Sequence, residues 1–400
     1  MGKTLIIGQS GGPTSVINAS LVGAVKEALR HEEIDKVLGA FHGIDGILNS
    51  NYHIFSKNDN LDELITTPAA CLGSVRFKLS NDFNDPIYQQ ILDKLIENNV
   101  GYFFYIGGND SMDTCNKLSE YFKQNNVDIK VIGIPKTIDN DLVHTDHSPG
   151  YGSASKYVAT TLMEIAQDIS VYKKGRVTIV EIMGRDAGWL TASSKLANYY
   201  NKNIDLIYLP EVAFDIESFL QKVKEIYSKK QKVLVAVSEG IKDKDDNYIL
   251  KYRNFNNNDS FGHLQLGGVA EVLAEIVGQK LGYSVRAIEL NLPQRCASHI
   301  ASLTDVKEAL NCGKHAVRYA LKNKTGVMIG MVRQNGKILY KTIPLSKVAN
   351  FVKEFPKEWI IDGCDISDEY TKYALPLIQG ESMPKFKNGL PIHYKIKDWL

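Results

Sequence analysis

The sequence predicts an α/β protein made of two doubly wound domains, each with a mostly parallel sheet. Three observations predict it. Short apolar runs of strand length alternate with longer segments whose apolar residues recur at helical spacing, the pattern of βαβ units. The alternation comes in two sets, one before Asp141 and one after it. A length of 400 residues is long for one hydrophobic core and suits two.

In the first set, residues 4–7 read as a strand, 8–13 as a turn and 16–29 as a helix. Residues 37–41 form a second strand, 87–98 a helix, 101–106 a strand, 112–125 a helix and 131–134 a strand. The second set opens with a long helix over 151–170, a strand over 176–183 and a helix over 189–198. Strands at 206–209 and 233–237 flank a helix at 216–229. Residues 243–258, rich in Asp, Asn and Lys, read as a surface loop or hairpin. A helix at 269–281, a strand at 284–290 and segments at 306–322, 326–332 and 337–344 complete the pattern. From about residue 360 the chain is less regular, and 385–400 has no clear period.

Composition narrows the function. Apolar residues are 44% and charged residues 23%, as in folded, soluble proteins. The formal net charge of +1 offers no basic excess for nucleic acid or for an anionic membrane. The first eight residues read as a strand rather than a signal peptide. No apolar run approaches the ~20 residues that span a bilayer. Cys71, Cys115, Cys296, Cys312 and Cys364 are scattered, odd in number and without metal-ligand spacing, so they read as reduced thiols of a cytoplasmic protein.

The chemistry gathers at strand ends. Residues 135–141 read Pro-Lys-Thr-Ile-Asp-Asn-Asp and follow an apolar strand. Ligands of open α/β sheets bind outside the carboxyl ends of strands. A carboxylate there can take a proton from a substrate hydroxyl, and a lysine can neutralise phosphate oxygens. A polar turn capping a helix would account for the same seven residues taken alone. Gly8-Gln9-Ser10-Gly11-Gly12-Pro13 lies between a strand and a helix, where backbone N–H groups can approach a phosphate. No Gly-Lys-Ser/Thr follows, so it is not a Walker loop. Gly107-Gly108-Asn109-Asp110-Ser111 repeats the arrangement and adds an amide and a carboxylate suited to Mg²⁺ or its waters. Each loop alone also fits a tight turn, and Ser111 fits a plain helix cap. Arg76, within Gly73-Ser74-Val75-Arg76-Phe77, brings a planar fork of donors suited to phosphate.

Taken in order with Glu181-Ile182-Met183-Gly184-Arg185, these motifs resemble the phosphofructokinase family from about residue 3 to about residue 361. The resemblance implies an active site in the cleft between the two domains. It makes Asp139 the base for the 1-hydroxyl of fructose 6-phosphate, with Thr137 positioning the transferring phosphoryl group and Asp141 assisting. Met183, Gly184 and Arg185 line the sugar site, and Glu239 accepts a sugar hydroxyl. Gly12, Arg76 and Gly108 hold the phosphoryl donor. Arg176 resembles the arginine that reaches the sugar's 6-phosphate, commonly from a neighbouring subunit, which implies a homodimer or homotetramer. Residues 262–268 resemble the family's Gly-His-x-Gln-Arg-Gly-Gly but lack its arginine. Arg286, followed at the family's spacing by Gln294-Arg295, is the better match. Sugar phosphate therefore falls to Arg286 with Tyr283 beside it, substrate contact to Arg295, and a structural place to His263. The family's histidine near the 6-phosphate falls at Leu292 in this register, a departure from the pattern.

Two positions bear on the phosphoryl donor. ATP-dependent members usually carry Gly-Gly-Asp-Gly-Ser and Pro-Gly-Thr-Ile-Asp, whereas Asp110 and Lys136 here resemble pyrophosphate-dependent members. A carboxylate at Asp110 would occupy the space of a nucleotide's α-phosphate and repel it. Lys136 would stabilise charge on a departing phosphate that has no nucleotide to spread it. Asn109 stands where many relatives carry aspartate, so the Mg²⁺ implied by the family falls to Asn109 or, alternatively, to Asp110. The expected substrates are pyrophosphate and fructose 6-phosphate. The rival readings are an ATP-dependent kinase of fructose 6-phosphate or sedoheptulose 7-phosphate, and a non-catalytic regulatory subunit that binds sugar phosphate. The expected division is a donor domain of 1–141 with about 291–310, a sugar domain of 142–290 with about 311–361, and a C-terminal extension of 362–400.

Overall fold

The computed structural model describes residues 2–253 and 267–396. Its first sheet is built on β1 (Lys3–Gln9), whose run Leu5-Ile6-Ile7 is buried on both faces, as a central parallel strand requires. Helix α1 (Ile17–Ala28) returns the chain to β2 (Ile34–Ala40). Short helices α2 (Ile44–Leu48) and α3 (Leu61–Ile65) flank the edge strand β3 (Tyr52–Phe55). Helix α4 (Pro86–Glu97) starts on Asp85, which accepts a hydrogen bond from the Ile87 N–H at 3.0 Å, with Pro86 in the first turn. β4 (Val100–Gly107), α5 (Asn109–Gln124) and β5 (Lys130–Pro135) complete the N-terminal part.

The second sheet follows the long helix α6 (Tyr151–Ser170). It contains β6 (Arg176–Ile182), β7 (Leu206–Tyr208), β8 (Lys232–Ser238) and β9 (Val285–Glu289), all parallel, in the order β7-β8-β6-β9. Helices α7 (Trp189–Ala192), α8 (Ile216–Lys230) and α9 (Val269–Leu281) belong to this part. The expected 243–258 loop begins as a small hairpin with an antiparallel bridge between Lys242 and Tyr248. The rest of that loop, from residue 254, lies outside the described residues, as does His263.

The chain then crosses back through α10 (Pro293–Cys296), β10 (Ala301–Ser302) and α11 (Leu303–Leu321). Helix α11 lies against α1 with almost no gap. A β-carbon at Gly23 would stand 2.0 Å from the Leu310 carbonyl oxygen, and one at Gly313 would stand 2.0 Å from that of Ser20. β11 (Val327–Gln334) pairs parallel to β5, and β12 (Lys337–Pro344) folds back on it through an Asn335-Gly336 turn with both residues at positive φ. The first sheet therefore runs β12-β11-β5-β4-β1-β2-β3. This corrects the expected division, because residues 311–344, expected with the second sheet, belong with the N-terminal one. The terminal segment also packs into the body of the protein. α12 (Asp368–Ala374) buries Tyr370, whose hydroxyl lies 2.6 Å from that of Tyr151, and Ile396 joins the core under the first sheet.

Both sheets are parallel in their middles, so each gathers its strand ends at one carboxyl edge. In the first sheet β1 is flanked by β2 on one side and β4 on the other, which makes the β1/β4 junction a topological switch point. No described helix is long and apolar enough to cross a membrane.

Candidate active site

Three loops leave the carboxyl edge of the first sheet side by side. The Ser10 N–H donates to the Ile106 carbonyl and the Lys136 N–H to the Gly107 carbonyl, each at 2.9 Å, so the first loop is bonded to β4 and the third to the loop that follows it. The Arg76 loop is tied in by Ser74, whose hydroxyl donates to the Gly11 carbonyl at 2.6 Å, and by Ser10, whose hydroxyl donates to the Val75 carbonyl at 3.2 Å. Gly12 lies close to the opposite wall, since a β-carbon there would stand 3.0 Å from an Arg295 nitrogen. These loops face a cavity of about 330 Å³.

The second sheet supplies the opposite wall. Met183 and Arg185 follow β6, Glu239 follows β8, and Arg295 comes from α10; all four line the same cavity. Glu239 accepts the Gly184 N–H at 3.1 Å, and the Gln294 side chain accepts the Met183 N–H at 3.2 Å, so the sugar-side loop is held by its neighbours. Glu181 turns elsewhere. Its carboxylate accepts the Gly268 N–H at 3.1 Å and the Ala270 N–H at 2.9 Å, capping α9, and burial pushes its pKa up to about 7.

Burial and crowded charge set the protonation states. Burial raises the Asp139 carboxyl to about 7, reinforced by the nearby carboxylates of Asp141 and Glu239 and opposed by Lys136 and Arg185. Asp141 and Glu239 are raised by burial too. Asp141 Oδ1 is buried without a hydrogen-bond partner among the described residues. Burial lowers the Lys136 ammonium to about 8, against the pull of Asp139 and Asp141. The Thr137 hydroxyl accepts the Asp139 N–H at 3.1 Å, and the Thr137 N–H donates to the Pro149 carbonyl at 3.1 Å. A carboxyl that titrates near neutrality, beside a buried cation, is suited to moving a proton and neutralising a departing anion.

Most residues expected at the site thus meet at one cavity: Gly12, Arg76, Gly108, Asn109, Asp110, Lys136, Thr137, Asp139, Asp141, Met183, Arg185, Glu239 and Arg295. Three do not. Arg176 opens β6, and Arg286 pairs in register with Thr178, so both lie toward the amino end of a seven-residue strand. At ~3.3 Å per residue, that places Arg176 roughly 20 Å from the carboxyl edge. Together with Lys173 and Lys174 they line a second cavity of about 230 Å³. Tyr283 stacks on Tyr227, centroids 3.9 Å apart, beside the core of the second sheet.

Asn109 is engaged elsewhere than expected. Its Oδ1 accepts the Asn350 N–H at 2.8 Å and its Nδ2 donates to the Phe351 carbonyl at 2.5 Å. That leaves Asp110 as the carboxylate of this loop at the cavity. No group of three or more His, Cys, Asp or Glu side chains that could hold a metal ion occurs among the described residues. The donor set fits a hard cation that keeps water and phosphate oxygens as most of its ligands, as Mg²⁺ does. Sequence reasoning missed Lys353, which is half-buried beside Asp141 and bonded to the Asn140 side chain and to the carbonyls of Thr145 and Asp146. It stands in an aperiodic stretch, so only the folded contacts reveal it.

The phosphofructokinase family model matches residues 4–320. The chain is 38% identical over 396 residues to a pyrophosphate–fructose 6-phosphate 1-phosphotransferase of Halomonas elongata, covering 96% of this chain and 93% of the relative. It is 40% identical over 405 residues to the enzyme of the same name from Xanthomonas campestris pv. campestris, covering 98% and 96%. Among solved structures, a pyrophosphate-dependent phosphofructokinase from Marinobacter aquaeolei superimposes with a TM-score of 0.89 at 36% identity, covering 99% of this chain and 96% of that one.

Proposed function

The chain belongs to the phosphofructokinase family, and we propose that it transfers a phosphoryl group reversibly from pyrophosphate to the 1-hydroxyl of fructose 6-phosphate. The products are fructose 1,6-bisphosphate and phosphate. The observation that carries the reading is the meeting of Asp110, Lys136 and Asp139 at one cavity.

Asp139 takes the proton of the 1-hydroxyl as that oxygen attacks phosphorus. The bond from phosphorus to the bridging oxygen of pyrophosphate breaks, and the bridging oxygen leaves on phosphate. Lys136 and Arg76 offset the charge that develops on the leaving group. Thr137 positions the transferring group, and Asp141 keeps a second carboxylate beside the base. Met183, Gly184, Arg185, Glu239 and Arg295 hold the sugar phosphate. Asp110, with the pyrophosphate oxygens, would hold Mg²⁺, which supplies further positive charge when bound. The Asp110 carboxylate also stands against a nucleotide's inner phosphate.

Arg176 and Arg286 fit the 6-phosphate of a substrate bound to a neighbouring copy, because they lie together at the far edge of the sheet. An oligomer in which subunits share sites follows from this reading. The free cysteines, all but Cys296 buried, support a reducing, cytoplasmic setting.

A panel of donors and acceptors tests the assignment. Turnover of fructose 6-phosphate with pyrophosphate and little with ATP is expected. Turnover with ATP but not pyrophosphate, or with sedoheptulose 7-phosphate in place of fructose 6-phosphate, would overturn it.

A further inference from the structure

Residues 350–353 lie beyond the part of the chain that the family model matches, yet they touch two loops of the site. One end is clamped by the Asn109 side chain, which bonds both the Asn350 N–H and the Phe351 carbonyl. Asn350 adds a bond from its Nδ2 to Asp113 Oδ1 at 2.9 Å and sits at φ +66°. Val352 lines the cavity. At the other end the Lys353 N–H donates to the Asp141 carbonyl at 2.7 Å.

The Lys353 side chain is directed into the protein. Its ammonium donates to Asn140 Oδ1 at 3.3 Å and to the carbonyls of Thr145 at 3.3 Å and Asp146 at 3.0 Å. It also lies 4.9 Å from the centre of the Trp189 ring, whose indole N–H donates to the Lys353 carbonyl at 2.9 Å. A buried ammonium is costly unless such partners surround it. Here the partners converge on the turn between the two site aspartates. Asn140, fully buried and at φ +55°, separates Asp139 from Asp141 and is bonded further to the Ser148 N–H and the Tyr373 hydroxyl.

We propose that Lys353 is a positioning residue for phosphoryl transfer. Through the 350–353 strap it locks the Asn140 turn that carries Asp139 and Asp141, and holds that turn in register with the donor loop at Asn109. The inference rests on Asp139 being the base. Two carboxylates face the ammonium: Asp141, and Asp146, which is itself paired with His147 and Arg333.

Steady-state kinetics of Lys353→Met, Asn350→Gly and Asp139→Asn test it on the full-length protein. Lys353→Met is expected to lower kcat about 10- to 100-fold, the scale of a small misplacement of reacting groups, with both KM values within about threefold. Its acid limb should move to higher pH, because the Asp139–Asp141 pair loses a neighbouring cation. Asn350→Gly keeps the positive φ, removes the bond to Asp113, and should lower kcat severalfold with KM unchanged. Wild-type kcat in a folded Lys353→Met variant, or a rise in KM alone, overturns the proposal. If Lys353→Met does not fold, Asn350→Gly decides, and wild-type kcat there overturns it. Asp139→Asn separates the two readings: inactivity leaves the base in place whatever the strap does, and full activity removes both.

Discussion

The Lys136 ammonium donates to the Gly12 carbonyl oxygen and so joins the third loop of the first sheet to the first one across the donor end of the cavity. Burial lowers this ammonium to about 8, while burial and neighbouring carboxylates lift Asp139 to about 7. With Asp139 as base and Lys136 as the countercharge, the proposed transfer needs Asp139 unprotonated and Lys136 charged. Activity is therefore lost as pH falls through about 7 and again as pH rises through about 8. The expected kcat/KM profile with pyrophosphate is a narrow bell between those limbs. Lys136→Met should lower kcat by about two orders of magnitude and remove the alkaline limb. A profile flat across pH 6–9 would contradict the assignment.

Asp139→Asn should abolish turnover and stabilise the fold. The sign follows from linkage. The folded state raises the Asp139 pKa above its ordinary 3.8, so folded protein binds the proton more tightly than unfolded protein does. Stability contributed by that group is present at low pH and lost as pH rises through about 7. Replacing the acid with an amide removes the ionised form, for a gain of roughly 1–2 kcal/mol once partial exposure is allowed for. The expected rise in Tm is a few degrees at pH 8 and smaller at pH 6, read by thermal scans at both pH values.

The parts legible in the sequence were local. The 135–141 loop announces itself because its lysine, threonine and aspartates are contiguous and follow a buried strand. Helix α6 matches its expected span residue for residue, since its apolar spacing is uninterrupted. The helix expected over 189–198 is instead α7 followed by a 3₁₀ segment at Ser193–Asn198. The Ser193 and Ser194 hydroxyls donate to the Leu190 and Thr191 carbonyls there, and serine so bonded weakens a regular helix. Edge strand β3 was missed because four residues carry too short a period. The placing of β11 beside β5, and of Lys353 beneath Asn140, joins residues about two hundred positions apart. No local pattern encodes such pairings, which arise only when the sheets are assembled.

If donor choice rests on Asp110 and Lys136, Asp110→Gly combined with Lys136→Gly should raise the ratio of ATP to pyrophosphate turnover. Removing the carboxylate opens the cavity on the side of α5, and removing the ammonium withdraws the group that favours a bare phosphate as leaving group. The readout is kcat/KM for each donor at saturating fructose 6-phosphate. An unchanged ratio would mean that neither charge governs the choice.

Asn109 and Asp110 are adjacent, and metal titrations distinguish them. Asn109 spends its amide on Asn350 and Phe351, so Asn109→Ala should leave the Mg²⁺ concentration for half-maximal rate within about twofold of the parent while lowering kcat through the freed strap. Asp110→Asn removes a carboxylate from the cavity and should raise that concentration about tenfold or more. The opposite ranking would return the metal to Asn109.

Arg176 and Arg286 stand in a second cavity with Lys173 and Lys174, at the wrong end of β6 to reach the aspartates of their own chain. If they complete a neighbour's site, Arg176→Ala should raise KM for fructose 6-phosphate about tenfold or more and leave KM for pyrophosphate nearly unchanged. A mixing experiment makes the sharing visible. Asp139→Asn lacks the base but keeps a sound Arg176, and a double variant of Arg176→Ala and Arg286→Ala has the reverse defect. Co-refolded as mixed oligomers, the two should form some sites with an intact base from one chain and intact arginines from the other. Activity in the mixture well above the sum of the separate preparations is expected. A mixture no more active than its parts, in oligomers shown to have exchanged subunits, would place both arginines outside the catalytic site.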